Sequence, residues 1–331
     1  MADPTPGEDP VRSALRLALR APSVHNCQPW RWLVGPESVH LYADGSRQVP
    51  ATDPHGRDLL ISCGAALDHF LVALASLGRG ARVRRIPNPA QPGHLATVEL
   101  LPHTGTGADE ALAAAIPRRR TDRRRFSSWP VPAELIGELL ELARVRGVGL
   151  EAITDPTVRW KLFHAITAAA EQQAADPAYA AEMAMWSGRG AESDDGVPAA
   201  NATAPQHTPG QMPLRAYASP SLPQPPSTGE PANAALLLLT TPTDSALDWL
   251  RAGEATSAIL LTATRHGLAN SPLTQPLEVD DTRAFIRSRV TTGRTFHPQI
   301  LLRLGWAPAG TAELPPTPRR PLDDVVAPLI G

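Results

Sequence analysis

Three residues that alternate along the chain, Arg119, Thr121 and Arg123, are the ones whose types and spacing most directly suggest chemistry. A phosphate monoester needs several donors aimed at one point, and guanidinium groups present planar, paired donors that match it. In an extended segment, residues two apart face the same side. Two guanidiniums and a hydroxyl would then meet one anion, with Arg118 and Arg120 pointing away. The stretch from Arg118 to Phe126 holds six arginines in nine residues. On composition alone, such a run reads first as a basic surface or a nucleic-acid patch. The net charge of −2 gives no global attraction to nucleic acid or to an anionic membrane.

A second group lies far upstream, in Ala21–Trp32. Pro22 and Pro29 stiffen this stretch, and Ser23, Asn26 and Gln28 offer hydroxyl and amide groups. Such groups both donate and accept hydrogen bonds without adding charge. His25 reads as a satisfied loop histidine, and Trp30 and Trp32 as core or strand anchors. Nothing near Cys27 supports a reactive thiolate. Cys27 and Cys63 are the two cysteines, too few for a disulfide framework, so a reducing, cytoplasmic setting is expected. Met1–Pro10 is acidic and proline-rich, unlike a signal peptide, and no apolar run looks long enough to span a bilayer. Phosphate-loop, nucleophile-elbow and zinc-binding patterns are missing from the sequence, so no metal is expected.

Helices are expected over 11–20, 55–77, 108–116, 132–144, 156–175, 177–186 and 250–266. Strands are expected over 30–34, 39–42, 81–86, 95–101, 148–153, 234–240 and 299–304. Pattern is lost from Ser187 to Pro231, a stretch dense in Pro, Gly, Ser and Ala. A loop of that length is a functional lid or disordered. Two of the helices repeat each other. Cys63-Gly64-Ala65-Ala66 aligns without gaps on Ala252-Gly253-Glu254-Ala255, and each helix closes on a glycine fourteen residues later, Gly78 or Gly267. The alignment predicts two copies of one α+β unit, an N-terminal half over 1–116 and a C-terminal half over 117–331. Two unrelated Ala/Leu-rich helices would look similar.

Both groups resemble motifs of the FMN-binding nitroreductase superfamily. Ala21–Trp32 is similar to its APSxxNxQPW flavin-edge loop. Arg118–Phe126, followed by Pro130-Val131-Pro132, is similar to its RxSxRxF phosphate motif. His266–Gln275 resembles the turn whose backbone lies against the flavin. Many active members carry an acidic residue there, whereas this chain has Thr274-Gln275, with Glu278 slightly later. Pro316–Pro321, containing Arg319 and Arg320, resembles a C-terminal basic motif that closes on the phosphate. From about Val11 to Val326 the chain resembles the actinobacterial Acg-like branch, including Thr52–Arg57, Leu250–Ala255 and Gln299–Trp306.

The resemblance implies a nitroreductase-like α+β fold. It would comprise two tandem repeats, each with a mainly antiparallel sheet flanked by helices, forming an intramolecular pseudo-dimer. Ordinary members are homodimers with each FMN shared between subunits. Here the loop precedes the phosphate motif, the reverse of the usual order, so each half would lend one side of a single site holding one FMN per chain. The cofactor-binding residues implied are Pro22, Ser23, Val24, His25, Asn26 and Gln28, then Arg118, Arg119, Thr121 and Arg123. Pro272, Leu273, Thr274 and Gln275 follow, with Arg319 and Arg320. The function implied is an NAD(P)H-dependent flavin oxidoreductase acting on nitro, quinone or related small-molecule acceptors. The alternative is FMN storage beneath a lid over 187–231. A monomer or a dimer of such chains is expected, with no nucleic acid or membrane partner.

Overall fold

The computed structural model describes residues 9–190, 192–204, 212–225, 233–291 and 296–329. Helix α1 (Pro10–Ala18) starts where the Asp9 side chain accepts from Val11 N, with proline in its first turn. Strands β1 (Trp30–Val34) and β2 (Ser38–Ala43) lead to the long helix α2 (Arg57–Ser76). Strands β3 (Arg79–Arg85) and β4 (His94–Pro102) follow, and α3 (Gly107–Ala113) completes this part of the chain. The next part runs α4 (Ala133–Val145), β5 (Gly149–Ala152), α5 (Pro156–Ala174) and α6 (Pro177–Trp186). The insertion contributes two short parallel strands, β6 (Ser187–Arg189) and β7 (Val197–Pro198). Then come β8 (Ala235–Thr241), α7 (Ala246–Arg265), β9 (Ala269–Leu273), α8 (Gln275–Glu278), α9 (Asp280–Arg289) and β10 (His297–Gly305). The chain ends in α10 (Leu322–Val325) and β11 (Val326–Pro328).

The expected repeat is visible in the topology. One sheet has the order β1-β2-β4-β3 and the other β5-β8-β10-β9, with antiparallel neighbours throughout both orders. In each, a twenty-residue helix connects the second strand to the third in chain order. The first sheet gains a fifth strand, because β11 returns from the C-terminus and pairs parallel with β1, Trp32 opposite Val326.

The two long helices pack against each other at their glycines. A Cβ on Gly64 would lie 2.0 Å from Leu250 O, and one on Gly253 would lie 2.0 Å from Ile61 O. The contact is reciprocal: each glycine meets the carbonyl three residues before the other. That is the signature of a two-fold interface, here formed within one chain. Gly78 and Gly267 have φ of 71° and 82°, the left-handed geometry that ends a helix and that glycine adopts without steric penalty.

Cores form on the sheets. Trp30, Trp32, Phe70 and Leu74 are fully buried with the first sheet, the rings of Trp32 and Phe70 being 5.1 Å apart. Leu237, Leu239 and Leu302 pack with α4 and α7, while Leu236, Leu238 and Leu301 pack with α5 and α9. Covered on both faces, β8 reads as a continuous Leu run rather than an alternating one. One expectation needs correction. By length and composition α2 could cross a bilayer, but most of it is buried against α1, α7 and the first sheet.

Candidate functional site

A cleft opens beside the α2–α7 contact, with Ile61, Ser62 and Ala65 of α2 and Thr256 of α7 in its wall. Pro22 to Asn26 line one side. This loop makes a short 3-10 turn, Asn26 N donating to Ser23 O (3.0 Å) and Cys27 N to Val24 O (2.9 Å). His25, Asn26 and Gln28 have φ of 47°, 56° and 51°, each a strained choice for a side-chain-bearing residue, costing on the order of 1 kcal/mol or more. Hydrogen bonds hold the strain in place. Ser23 Oγ accepts from Gln28 N (3.0 Å), and Asn26 Nδ2 donates to Gly196 O (3.0 Å) and Pro318 O (3.2 Å). Gln28 is fully buried behind this wall. It donates to Asp194 O (2.8 Å) and accepts from Arg320 N (2.9 Å), tying the loop to the insertion and the tail.

The arginine segment runs extended beside β9: Thr121 bridges Asn270, and Asp122 N donates to Asn270 O (2.8 Å). Arg119, Thr121 and Arg123 therefore all face the cleft, as alternation in an extended chain requires. Arg118 is exposed and turned away, its Nε donating to Ala114 O (3.2 Å). Arg120 Nη1 caps Pro117 O (2.6 Å).

Arg119 and Arg319 bring two guanidiniums to the cleft. Arg119 is 5% exposed, and its Nη2 donates to Arg20 O (3.3 Å). Its Nε and Nη1 are buried with no hydrogen-bond partner among the described residues. Arg319 spends its donors on backbone carbonyls, Leu19 O (2.7 Å), Arg20 O (3.2 Å) and Ala21 O (3.3 Å). No carboxylate among the described residues pairs with either guanidinium. Burial, then Arg120 and Arg123, pull Arg119 down to about 10. Burial, then Arg119, Arg20 and Arg120, hold Arg319 well below its ordinary value. Buried like charges without a counter-charge are costly, and an anion between them would remove that cost. Arg123 lies over the Tyr217 ring at 4.7 Å and donates to Asn201 O (3.0 Å).

The remaining wall is the turn Pro272–Gln275. Thr274 Oγ1 donates to Glu278 Oε1 (2.6 Å), and Gln275 Nε2 to Gln173 Oε1 (2.9 Å). Glu278 is itself buried and ion-paired with Arg215, which comes from the insertion. Arg215 Nη1 also donates to Tyr179 Oη (3.1 Å) and His25 Nε2 (3.2 Å). An accepting Nε2 puts the ring proton of His25 on Nδ1, which is buried with no partner among the described residues. Burial, then Arg215 and Arg123, hold the His25 pKa well below 6.5, so the ring is neutral.

Of the residues singled out in the sequence, the cleft gathers the loop Pro22–Asn26, the alternating triplet, the turn Pro272–Gln275 and Arg319. Gln28 and Arg320 stand behind it, and Arg118 faces outward. Sequence reasoning did not find Asp58, Ser62 and Thr256, which sit on helix faces that read as core. Nor did it find Asn201, Arg215 and Tyr217, whose only signal was polar and aromatic residues inside a proline-rich stretch. Parts of the proposed lid, 191, 205–211 and 226–231, lie outside the described residues.

No family model matches the chain. It is 48% identical over 323 residues to "Putative NAD(P)H nitroreductase Rv3131" of Mycobacterium tuberculosis, covering 97% of this chain and 92% of that one. It is 37% identical over 331 residues to "Putative NAD(P)H nitroreductase acg" of the same species, covering 98% and 97%. Among solved structures it is similar to a nitroreductase with bound FMN from Desulfitobacterium hafniense, at 13% identity and a TM-score of 0.42, covering 66% of this chain and 98% of that one. It is also similar to the FMN-dependent nitroreductase NfnB from Mycobacterium smegmatis in complex with NADPH, at 17% identity and a TM-score of 0.40, covering 66% and 97%.

Proposed function

The chain belongs to the Acg-like branch of the nitroreductase superfamily, and on that premise we propose that it is a flavin oxidoreductase holding one FMN in the cleft between its halves, 1–116 and 117–331. The observation that carries this reading is the pair Arg119, buried, and Arg319, half-buried, two guanidiniums with no carboxylate partner among the described residues. They fit a phosphate monoester, with the Thr121 hydroxyl beside them. Pro22–Asn26 and Pro272–Gln275 would flank the ring, Arg123 would offer it positive charge, and Gln28 and Arg320 would brace the loop from behind. When bound, the flavin supplies the redox chemistry, taking electrons from NAD(P)H and passing them to a nitro, quinone or related acceptor.

One FMN per chain is favoured by what fills the mirror position. The gapless correspondence that pairs Gly64 with Gly253 maps the cleft residues Ala65 and Thr274 onto Glu254 and Arg85. Glu254 is buried there and bonded by Arg85 through both oxygens, each at 2.7 Å. An ion pair thus stands where a second ring would need open space.

A second reading, FMN held in storage, has its own support. Val197, Pro198, Asn201, Pro213, Arg215 and Tyr217 of the insertion all line the cleft, and Arg215 is anchored on three sides. Anaerobic addition of NADH or NADPH to the yellow protein separates the two. Bleaching on the turnover timescale supports the reductase, and a flavin that stays oxidised supports storage. A protein that takes up no FMN, or binds two per chain, removes the site described above.

A further inference from the structure

The wall of the cleft formed by α2 and α7 contains two polar groups left without partners. Asp58, in the first turn of α2, is 2% exposed. Its Oδ1 accepts from Arg57 Nε (3.0 Å) and Nη2 (2.7 Å), while Oδ2 is buried with no donor among the described residues. Thr256 of α7 is 1% exposed, and its Oγ1 is likewise buried and without a partner among the described residues. Both side chains line the cleft. Ser62 Oγ, on the same face, is already engaged: it donates to Asp58 O (2.6 Å) and accepts from Val24 N (3.2 Å).

Buried polar atoms without partners are rare because each forfeits about 1–3 kcal/mol, and charged ones more. The pseudo-symmetry indicates that these two are not needed for packing the helices. Under the Gly64–Gly253 correspondence, the mirror of Asp58 is Leu247 and the mirror of Thr256 is Leu67. At the mirror positions the two helices carry leucines, whereas at the cleft wall they carry a carboxylate and a hydroxyl.

We propose that Asp58 and Thr256 are cofactor ligands: Asp58 Oδ2 accepts a hydrogen bond from a flavin donor, the ring imide N–H or a ribityl hydroxyl, and Thr256 Oγ1 bonds a neighbouring polar atom of the same molecule. This rests on the flavin reading above. A carboxylate in the wall has a second effect. Its negative charge opposes the charge that the ring gains on reduction, so Asp58 lowers the potential of the bound flavin, against the influence of Arg123.

The test uses the full chain stripped of flavin and titrated with FMN, reading the quenching of flavin fluorescence. A parallel spectroelectrochemical titration reads the midpoint potential. Asp58→Ala is expected to weaken FMN binding roughly tenfold or more, the worth of a hydrogen bond to a charged group. Thr256→Val should weaken it by roughly threefold to tenfold. Asp58→Asn keeps the shape and serves if the alanine variant does not fold; it should bind more weakly than wild type with a potential shifted upward. Binding within twofold of wild type and an unmoved potential in Asp58→Asn overturn the proposal. Failure of the broader reading is separately visible: wild type would then take up no FMN. If Arg119→Met loses FMN while the Asp58 and Thr256 variants keep it, only this inference falls.

Discussion

Replacing Arg119 by methionine should act with opposite sign on the empty and the FMN-loaded protein. In the flavin-free chain the Arg119 guanidinium is buried, crowded by Arg120 and Arg123, and pulled from 12.5 down to about 10. A base whose folded pKa is depressed disfavours folding at every pH below its unfolded value. Here that penalty is on the order of 3 kcal/mol at neutral pH. Methionine fills similar space without the charge. It forfeits one long bond to Arg20 O (3.3 Å), worth about 1 kcal/mol. The net gain for the empty chain is about 1–2 kcal/mol, and its Tm should rise by a few degrees. FMN binding should move the other way. Two free donors, Nε and Nη1, would each make a charge-assisted bond to phosphate, so their loss costs about 3 kcal/mol, or about 100-fold in Kd. Differential scanning calorimetry of the flavin-free proteins and fluorescence titration with FMN measure the two halves. An Arg119→Met chain that melts lower than wild type without flavin, or binds FMN as tightly, would refute the picture of a pre-assembled cation pair awaiting an anion.

Gly64→Ala should destabilise the fold by about 3 kcal/mol or more in urea titrations, since overpacking forces a shift and the new methyl would lie 2.0 Å from Leu250 O. Gly137→Ala in α4, with nothing among the described residues within 4 Å, should instead add about 0.5–1 kcal/mol. Arg215→Ala strands the buried Glu278 charge and should lower stability by about 3–5 kcal/mol. The double variant Arg215→Met with Glu278→Gln should recover much of this while releasing FMN faster, as followed by fluorescence after dilution. His25 and His69 are both held well below 6.5, each chiefly by burial. Their contribution is complete above pH 6.5 and fades as pH falls below it, by up to about 1.4 kcal/mol per pH unit for each. Tm measured from pH 7.5 to 5 should fall less steeply in a His69→Asn variant.

Much of the scaffold was legible because its signals are local. The spans expected for α2, α6 and β1 match closely, and Gly78 and Gly267 mark where α2 and α7 stop. What was missed depends on partners. Helix α9 (Asp280–Arg289) carries few apolar residues and shows little periodicity, yet Ile286 is fully buried against α5. Strand β11 is three residues long and exists through its pairing with β1. Helix α7 begins at Ala246, four residues before the expected Leu250, because Ser245 and Asp248 form a capping box. In the site, alternation correctly predicted that Arg119, Thr121 and Arg123 share a face, and that Arg118 does not. Alternation did not reveal that Tyr217 and Asn201 of the insertion engage Arg123. Their position is set by tertiary contacts, which no periodicity encodes.

Joining the two halves in one chain also explains why the site can be so asymmetric. In a dimer of identical chains every substitution appears twice, so a residue that improves one site changes the other equally. Within one chain the mirror positions are free to diverge, and here they have. Ala65 faces the cleft while its mirror Glu254 is ion-paired with Arg85, and Asp58 and Thr256 face the cleft while Leu247 and Leu67 occupy their mirrors. The reciprocal Gly64–Gly253 contact retains the symmetry because both helices must still approach backbone to backbone. The glycine pair is thus kept while residues beside it, Ala65 against Glu254 and Ile61 against Leu250, have diverged. Selection on one site would act this way, because the backbone approach that positions both walls must be preserved whereas each wall residue need suit only its own side.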